Sequence, residues 1–113
     1  MPIIQKALSI AANANLANIL AGEFFEFVPY NALVEVGFNQ NTGAAGNILV
    51  DFISGSDVVA KDYTPLIKTT APIYPDEFTL QDIAGMGERL VLAVRNTTAG
   101  AIVVMYTVRI SAV

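Results

Sequence analysis

The chain contains no cysteine, no histidine and no tryptophan. Without cysteine there is no disulfide to staple a fold and no thiolate to hold a metal. Without histidine, neither a histidine-based nucleophile triad nor a histidine zinc site can be built. Charge is scarce as well: 14% of the 113 residues are charged, where a typical domain has about 25%. The cations Lys6, Lys61, Lys68, Arg89, Arg95 and Arg109 are scattered singly in a chain of net charge −4, so no patch forms that could neutralise phosphates. Direct nucleic-acid binding is not expected. Long hydrophobic runs are also missing. "LVLAV" and "AIVVMY" fall far short of the ~18–20 residues of a spanning helix. A transmembrane barrel needs about eight strands of roughly ten residues, nearly the whole chain. "MPIIQKALSIAANA" lacks the basic start and continuous apolar stretch of a signal peptide. A soluble protein, not a membrane protein, is expected.

Apolar residues are abundant, at 54%. A chain of this length fits a single domain, residues 1–113, and buries about two-thirds of its unfolded surface. With so few charges to cover the outside, apolar area is expected to stay exposed on the monomer, and such patches mark association surfaces.

The dominant period is two. "FFEFV" (24–28) reads as a strand stopped by Pro29, and "ALVEVGF" (32–38) puts Val34, Val36 and Phe38 on one face, Leu33 and Glu35 on the other. After the loop "NQNTGAAGN" (39–47), "ILVDFIS" (48–54) alternates again and "GSD" turns the chain into "VVAKDY" (58–63). Pro65, Pro72 and Pro75 make the middle an extended edge and surface loop, and "EFTLQDI" (77–83) reads as a further strand. "ANANLANILA" (12–21) has the helical spacing Leu16, Ile19, Leu20. Its asparagines favour caps and turns, so irregular or strand structure is preferred there. With "PIIQKALSI", about eight short strands result. The expected fold is all-β, an antiparallel two-sheet β-sandwich, jelly-roll-like, with residues 1–22 as an N-terminal arm or an edge strand.

No catalytic motif stands out. "AGMGERL" lacks the spacing of a phosphate loop. Converging carboxylates could hydrolyse glycosides, but the ten acids read better as solvated charge, and no enzyme is expected. Asp51, Asp57 and Asp62 do not have EF-hand spacing, and Asp57 suits a turn. No metal or cofactor is expected. Tyr30, Tyr63, Tyr74 and Tyr106 could line a sugar-binding face, although packing at sheet edges or an interface suits them better. "NTT" (96–98) is formally a glycosylation acceptor and reads as a turn.

"LAGEFFEFVPYNALVEVGF", "GSDVV", "PDEF" and "GERLVLAVRNTTAGAIVVMYTVRI" together resemble, in order and texture, the small jelly-roll virion proteins of bacteriophages, of minor capsid, cement or head-decoration type. The resemblance spans most of the chain and carries no catalytic residues. It implies a structural protein on the capsid surface, made in the host cytoplasm. Its implied partners are itself, with a trimer favoured, and the major capsid protein. The alternative is a carbohydrate- or receptor-binding β-sandwich module.

"RLVLAVRNTTAGAIVVMYTVRI" (89–110) reads as a closing hairpin whose core stripes are Leu90, Leu92, Val94 and Ile102, Val104, Tyr106, Val108, Ile110. Its other face carries Val91, Ala93, Arg95, Val103, Met105 and Arg109. A solvent-facing sheet would be more polar, so this face is expected to be covered by another subunit or by the N-terminal segment. With Tyr63 and Tyr74 these residues form the candidate interface.

Overall fold

The computed structural model describes residues 3–113 except Phe24, Ala45 and Pro75. Among the described residues nine strands form in chain order: β1 (Ile3–Ile10), β2 (Asn15–Leu16), β3 (Ala32–Gln40), β4 (Ile48–Ser54), β5 (Asp57–Tyr63), β6 (Leu66–Ile67), β7 (Leu80–Ala84), β8 (Leu90–Asn96) and β9 (Ile102–Ala112). They divide into two sheets. The first, sheet A, runs β1-β9-β3, with β7 and then β6 along the far side of β3; the second, sheet B, runs β2-β8-β4-β5.

Leaving out the two-residue β6, the antiparallel pairs β1·β9, β2·β8, β3·β7 and β4·β5 form one long ribbon of four rungs. Wrapping that ribbon brings β9 beside β3 and β8 beside β4, which is the strand order of a jelly roll. The short β6 departs from the antiparallel rule and pairs parallel to β3 at Asn39 and Gln40.

Strict alternation places the core. Ile48, Val50, Phe52 and Leu90, Leu92, Val94 point inward from sheet B; Val34, Val36, Phe38 and Ile102, Val104, Tyr106, Val108, Ile110 point inward from sheet A. Phe38 and Tyr106, neighbours across β3 and β9, stack at 5.7 Å in the centre. Burial raises the Tyr106 phenol above its ordinary pKa.

Three expectations change. Residues 89–110 are not a hairpin: β8 lies in sheet B and β9 in sheet A, because the ribbon turns over between the sheets at residues 97–101. Asn96 pins that corner. Its buried carboxamide donates to the carbonyls of Ile10, Ala11 and Gly100 at 2.9–3.2 Å and accepts from the Thr98 N–H and hydroxyl, so it serves the turn. Second, 25–28 form turns with a single bridge, Phe27 to Arg89; Phe24 lies outside the described residues. Third, Asn39 and Gln40 extend β3 rather than opening a loop. Residues 12–21 follow the expectation: they contain no helix and are irregular apart from β2. Asn18 replaces a strand at the edge of sheet B: its Oδ1 accepts from the N–H groups of Leu92 and Leu20, and its Nδ2 donates to Leu90 O. Residues 3–10 form the edge strand of sheet A.

Candidate functional site

The fold separates the candidate interface residues. Val91, Ala93 and Arg95 point outward from sheet B, whereas Val103, Met105 and Arg109 point outward from sheet A, on the opposite side of the sandwich. One partner surface cannot engage both sets flatly.

On sheet A the outer face is partly covered, though not by the N-terminal segment, which lies beside β9 as β1. The cover is the proline-rich stretch between β6 and β7. Pro72 and Phe78 lie directly over Gly37, so closely that a Cβ there would stand 2.5 Å from Pro72 Cβ and 2.9 Å from Phe78 Cδ1. Tyr74 meets Phe78 edge-on at 5.2 Å and has the Arg109 guanidinium 3.9 Å from its ring centroid. Asn39 Nδ2 donates to Thr70 O at 3.1 Å, and Lys68 Nζ donates to Glu77 Oε2 at 2.7 Å. The Lys68 ammonium, together with the Ile73 N–H, lowers the Glu77 pKa. Thus Tyr74 and Arg109, 35 residues apart, meet in one cleft of about 340 Å³, walled by Ile3, Gln5, Pro72, Phe78 and Thr107.

Among the described residues, the outer face of sheet B carries no such cover, and Ile53, Val91 and Ala93 are half-buried. Arg95 reaches Asp62 and, at 3.8 Å, Asp51, while Lys61 lies 3.7 Å from Asp51. Asp62, at φ 54°, donates its N–H to Asp51 Oδ1 and holds the irregular pairing of β4 with β5. Beside these charges, Val58, Ile53 and Val91 form an apolar row across three strands.

Two further carboxylates, Glu23 and Glu26, serve structure. Glu26 accepts from Gly22 N–H and from Arg89 Nε, both of which lower its pKa. Glu23 accepts from Lys6, an inward-pointing charge on edge strand β1, and raises the Lys6 pKa. Among the described residues no three acidic groups converge as a metal site. Of the tyrosines, Tyr106 is core; Tyr63 bonds Thr79 Oγ1 at 2.7 Å across the sandwich edge and lines a second recess.

The sequence reading missed a group at one end of the sandwich. Phe27, Ile83, Met86 and Val113 are 58%, 66%, 72% and 72% exposed. Asn31 ties their segments together, accepting from Met86 N–H through its side chain and from Val113 N–H through its carbonyl. Gly55 N–H bonds Arg89 O, which brings the β4–β5 turn and the row Val58–Ile53–Val91 to the same end. A large apolar residue between turn glycines, as in "GMG", was the available signal. The chain matches no known protein-family model, and no curated protein or solved structure matches it.

Proposed function

We propose that the chain is a structural virion protein, a jelly-roll protomer that self-associates and binds the capsid lattice through apolar surface and strand edges. The observation that carries this reading is the apolar end formed by Phe27, Ile83, Met86 and Val113, continued by Val58, Ile53 and Val91. Such an accumulation on a chain with so little charge marks a surface that another protein covers. The eight-residue edge of β1, paired among the described residues with β9 alone, adds a row of backbone groups open on its other side. Native mass by light scattering and co-sedimentation with capsid shells of the source virus test the proposal. An oligomer that co-sediments is expected; a strict monomer that stays in the supernatant would sink it.

The cleft under Tyr74 favours a second reading, a carbohydrate- or receptor-binding module, because aromatic rings there adjoin Gln5, Thr107 and Arg109. Glycan-array binding abolished by Tyr74→Ala would support that reading over the first.

A further inference from the structure

The positive charge of this chain is already engaged. Lys6, Lys61, Lys68, Arg89 and Arg95 each pair with a carboxylate, drawn from Glu23, Asp51, Glu77, Glu26 and Asp62. The sixth cation, Arg109, stacks on Tyr74. Of the ten acids, that leaves Glu35, Asp57, Asp76, Asp82 and Glu88 without a cation partner among the described residues. Glu35 is buried beneath the cover over sheet A, where Tyr74 and Gln81 donate to it. Asp76 lies on that cover and shares a recess with Asn39, at the far end of β3.

The other three gather at the apolar end. Glu88 stands two residues after Met86, and its carboxylate is held between the two turns that build the end. Its Oε1 accepts from Gly85 N–H at 2.7 Å, and its Oε2 lies so close to Gly55 that a Cβ there would stand 1.5 Å away. Asp57 is exposed and follows that same β4–β5 turn, next to Val58. Asp82 precedes Ile83 on β7, beside the inward-pointing Val34. The one cation nearby, Arg89, is neutralised by Glu26. The end is therefore apolar in its side chains and negative at its margin.

We propose that this margin gates self-association: the apolar ends of two copies join about a common axis only when salt screens Glu88 and Asp57. The proposal rests on the assembly reading, which puts a second copy on this end, and adds the condition under which it docks. In a symmetric contact the same patch lies on both sides, so each copy brings a further Glu88 and Asp57 toward the first. The second copy has no spare cation to set against them, because its lysines and arginines are engaged in the same way. Repulsion between such carboxylates reaches about 30 Å at about 0.01 M salt and about 3 Å at about 1 M. Burial of Phe27, Ile83, Met86 and Val113 is not weakened by salt, so screening leaves the attraction and removes its opponent.

Sedimentation velocity of the purified chain in sodium chloride, at about 0.01 M and at about 1 M, tests the proposal. The dissociation constant of the oligomer should tighten about tenfold with salt. Asp57→Asn should strengthen association at low salt and flatten the salt response, and the exposed site keeps the fold. Glu88→Gln should act in the same direction, since its amide oxygen can still accept from Gly85. Asp76→Asn removes the same charge from the cover, away from the end, and should leave the salt response as it was. An oligomer indifferent to salt, one that dissociates as salt rises, or an equal effect of Asp76→Asn and Asp57→Asn would overturn the gate and leave the assembly reading standing. A chain that stays monomeric at both salt concentrations, with and without the substitutions, would overturn both.

Discussion

The two outer faces of this sandwich have opposite composition and opposite fates. On sheet A the covered positions of β3 and β9 are Glu35, Gly37, Asn39 and Thr107, which are polar or small, yet all are buried. On sheet B the central positions Ile53, Val91 and Ala93 are apolar, yet they are only half-buried. An intramolecular cover needs room for its own rings and partners for its own backbone, which Gly37 and Asn39 supply. A bare apolar row needs neither, only a partner that brings its own surface. The polar face is therefore the one covered from within the chain, and the apolar face points outside it.

The sharpest way to break this contrast is to truncate one side chain on each face. Phe78 is 4% exposed, and Phe78→Ala strips the cover of its largest buried group, an expected loss of about 3 kcal/mol. Val91→Ala removes two half-buried carbons and should cost about 1 kcal/mol or less in the monomer. Urea denaturation of both variants measures the difference. Equal losses would mean that the cover over sheet A contributes little and that the two faces are energetically alike.

Gly37→Ala isolates the closeness of the cover. The added Cβ would meet Pro72 and the Phe78 ring, neither of which is the flexible end of a side chain, so the cover must lift. Overpacking of this kind costs about 1–3 kcal/mol, and the shift in urea midpoint reads it directly. An unchanged midpoint would show that the cover moves freely and is not part of the packed fold.

The architecture was legible in the sequence to the extent that alternation wrote it. The inward stripe of β4 and those of β8 and β9 follow from period two, and the proline spacing marked where regular structure lapses. What alternation could not reveal is which sheet a strand joins. "RLVLAVRNTTAGAIVVMYTVRI" has two apolar stripes and a short turn, and both a hairpin and a sheet-to-sheet corner satisfy that pattern. The corner is specified by Asn96, whose partners at Ile10 and Ala11 lie more than eighty positions away. Tyr74 was singled out from its type and Arg109 from its face, but their contact depends on a non-local path over Gly37. The apolar end escaped notice because Met86 and Val113 sit outside any strand, where periodicity has nothing to report, and because Phe27, in what reads as a strand, makes only an isolated bridge.

Two identical substitutions sharpen the assignment of the assembly surface. Met86→Lys charges the apolar end at a highly exposed site, and native mass should fall with the melting temperature unchanged. Met105→Lys places the same charge on the outer face of sheet A, opposite Asn39 and Ala7, and native mass should be retained. The reverse pair of results would move the assembly surface to sheet A, where Val103 and Met105 lead.

The smallest expected effect concerns pH, and it again sets one region against another. Glu26 is held below its ordinary pKa of 4.5 by the Gly22 N–H and Arg89, and Glu77 by Lys68 and the Ile73 N–H. A carboxylate with a depressed folded-state pKa contributes stability that is fully present above its unfolded value and lost as pH falls through the folded one. Acidification below about pH 4.5 should therefore loosen two places, the turn at residues 22–26 and the cover that Glu77 fastens over sheet A. Asn96 pins its corner with groups that do not titrate in this range, so that corner should hold. Amide exchange followed from pH 6 to pH 3 resolves the regions. Protection should fall earlier at Gly22 and Ile73 than at Thr98. Glu77→Gln should abolish the pH dependence at Ile73 while leaving that at Gly22 in place.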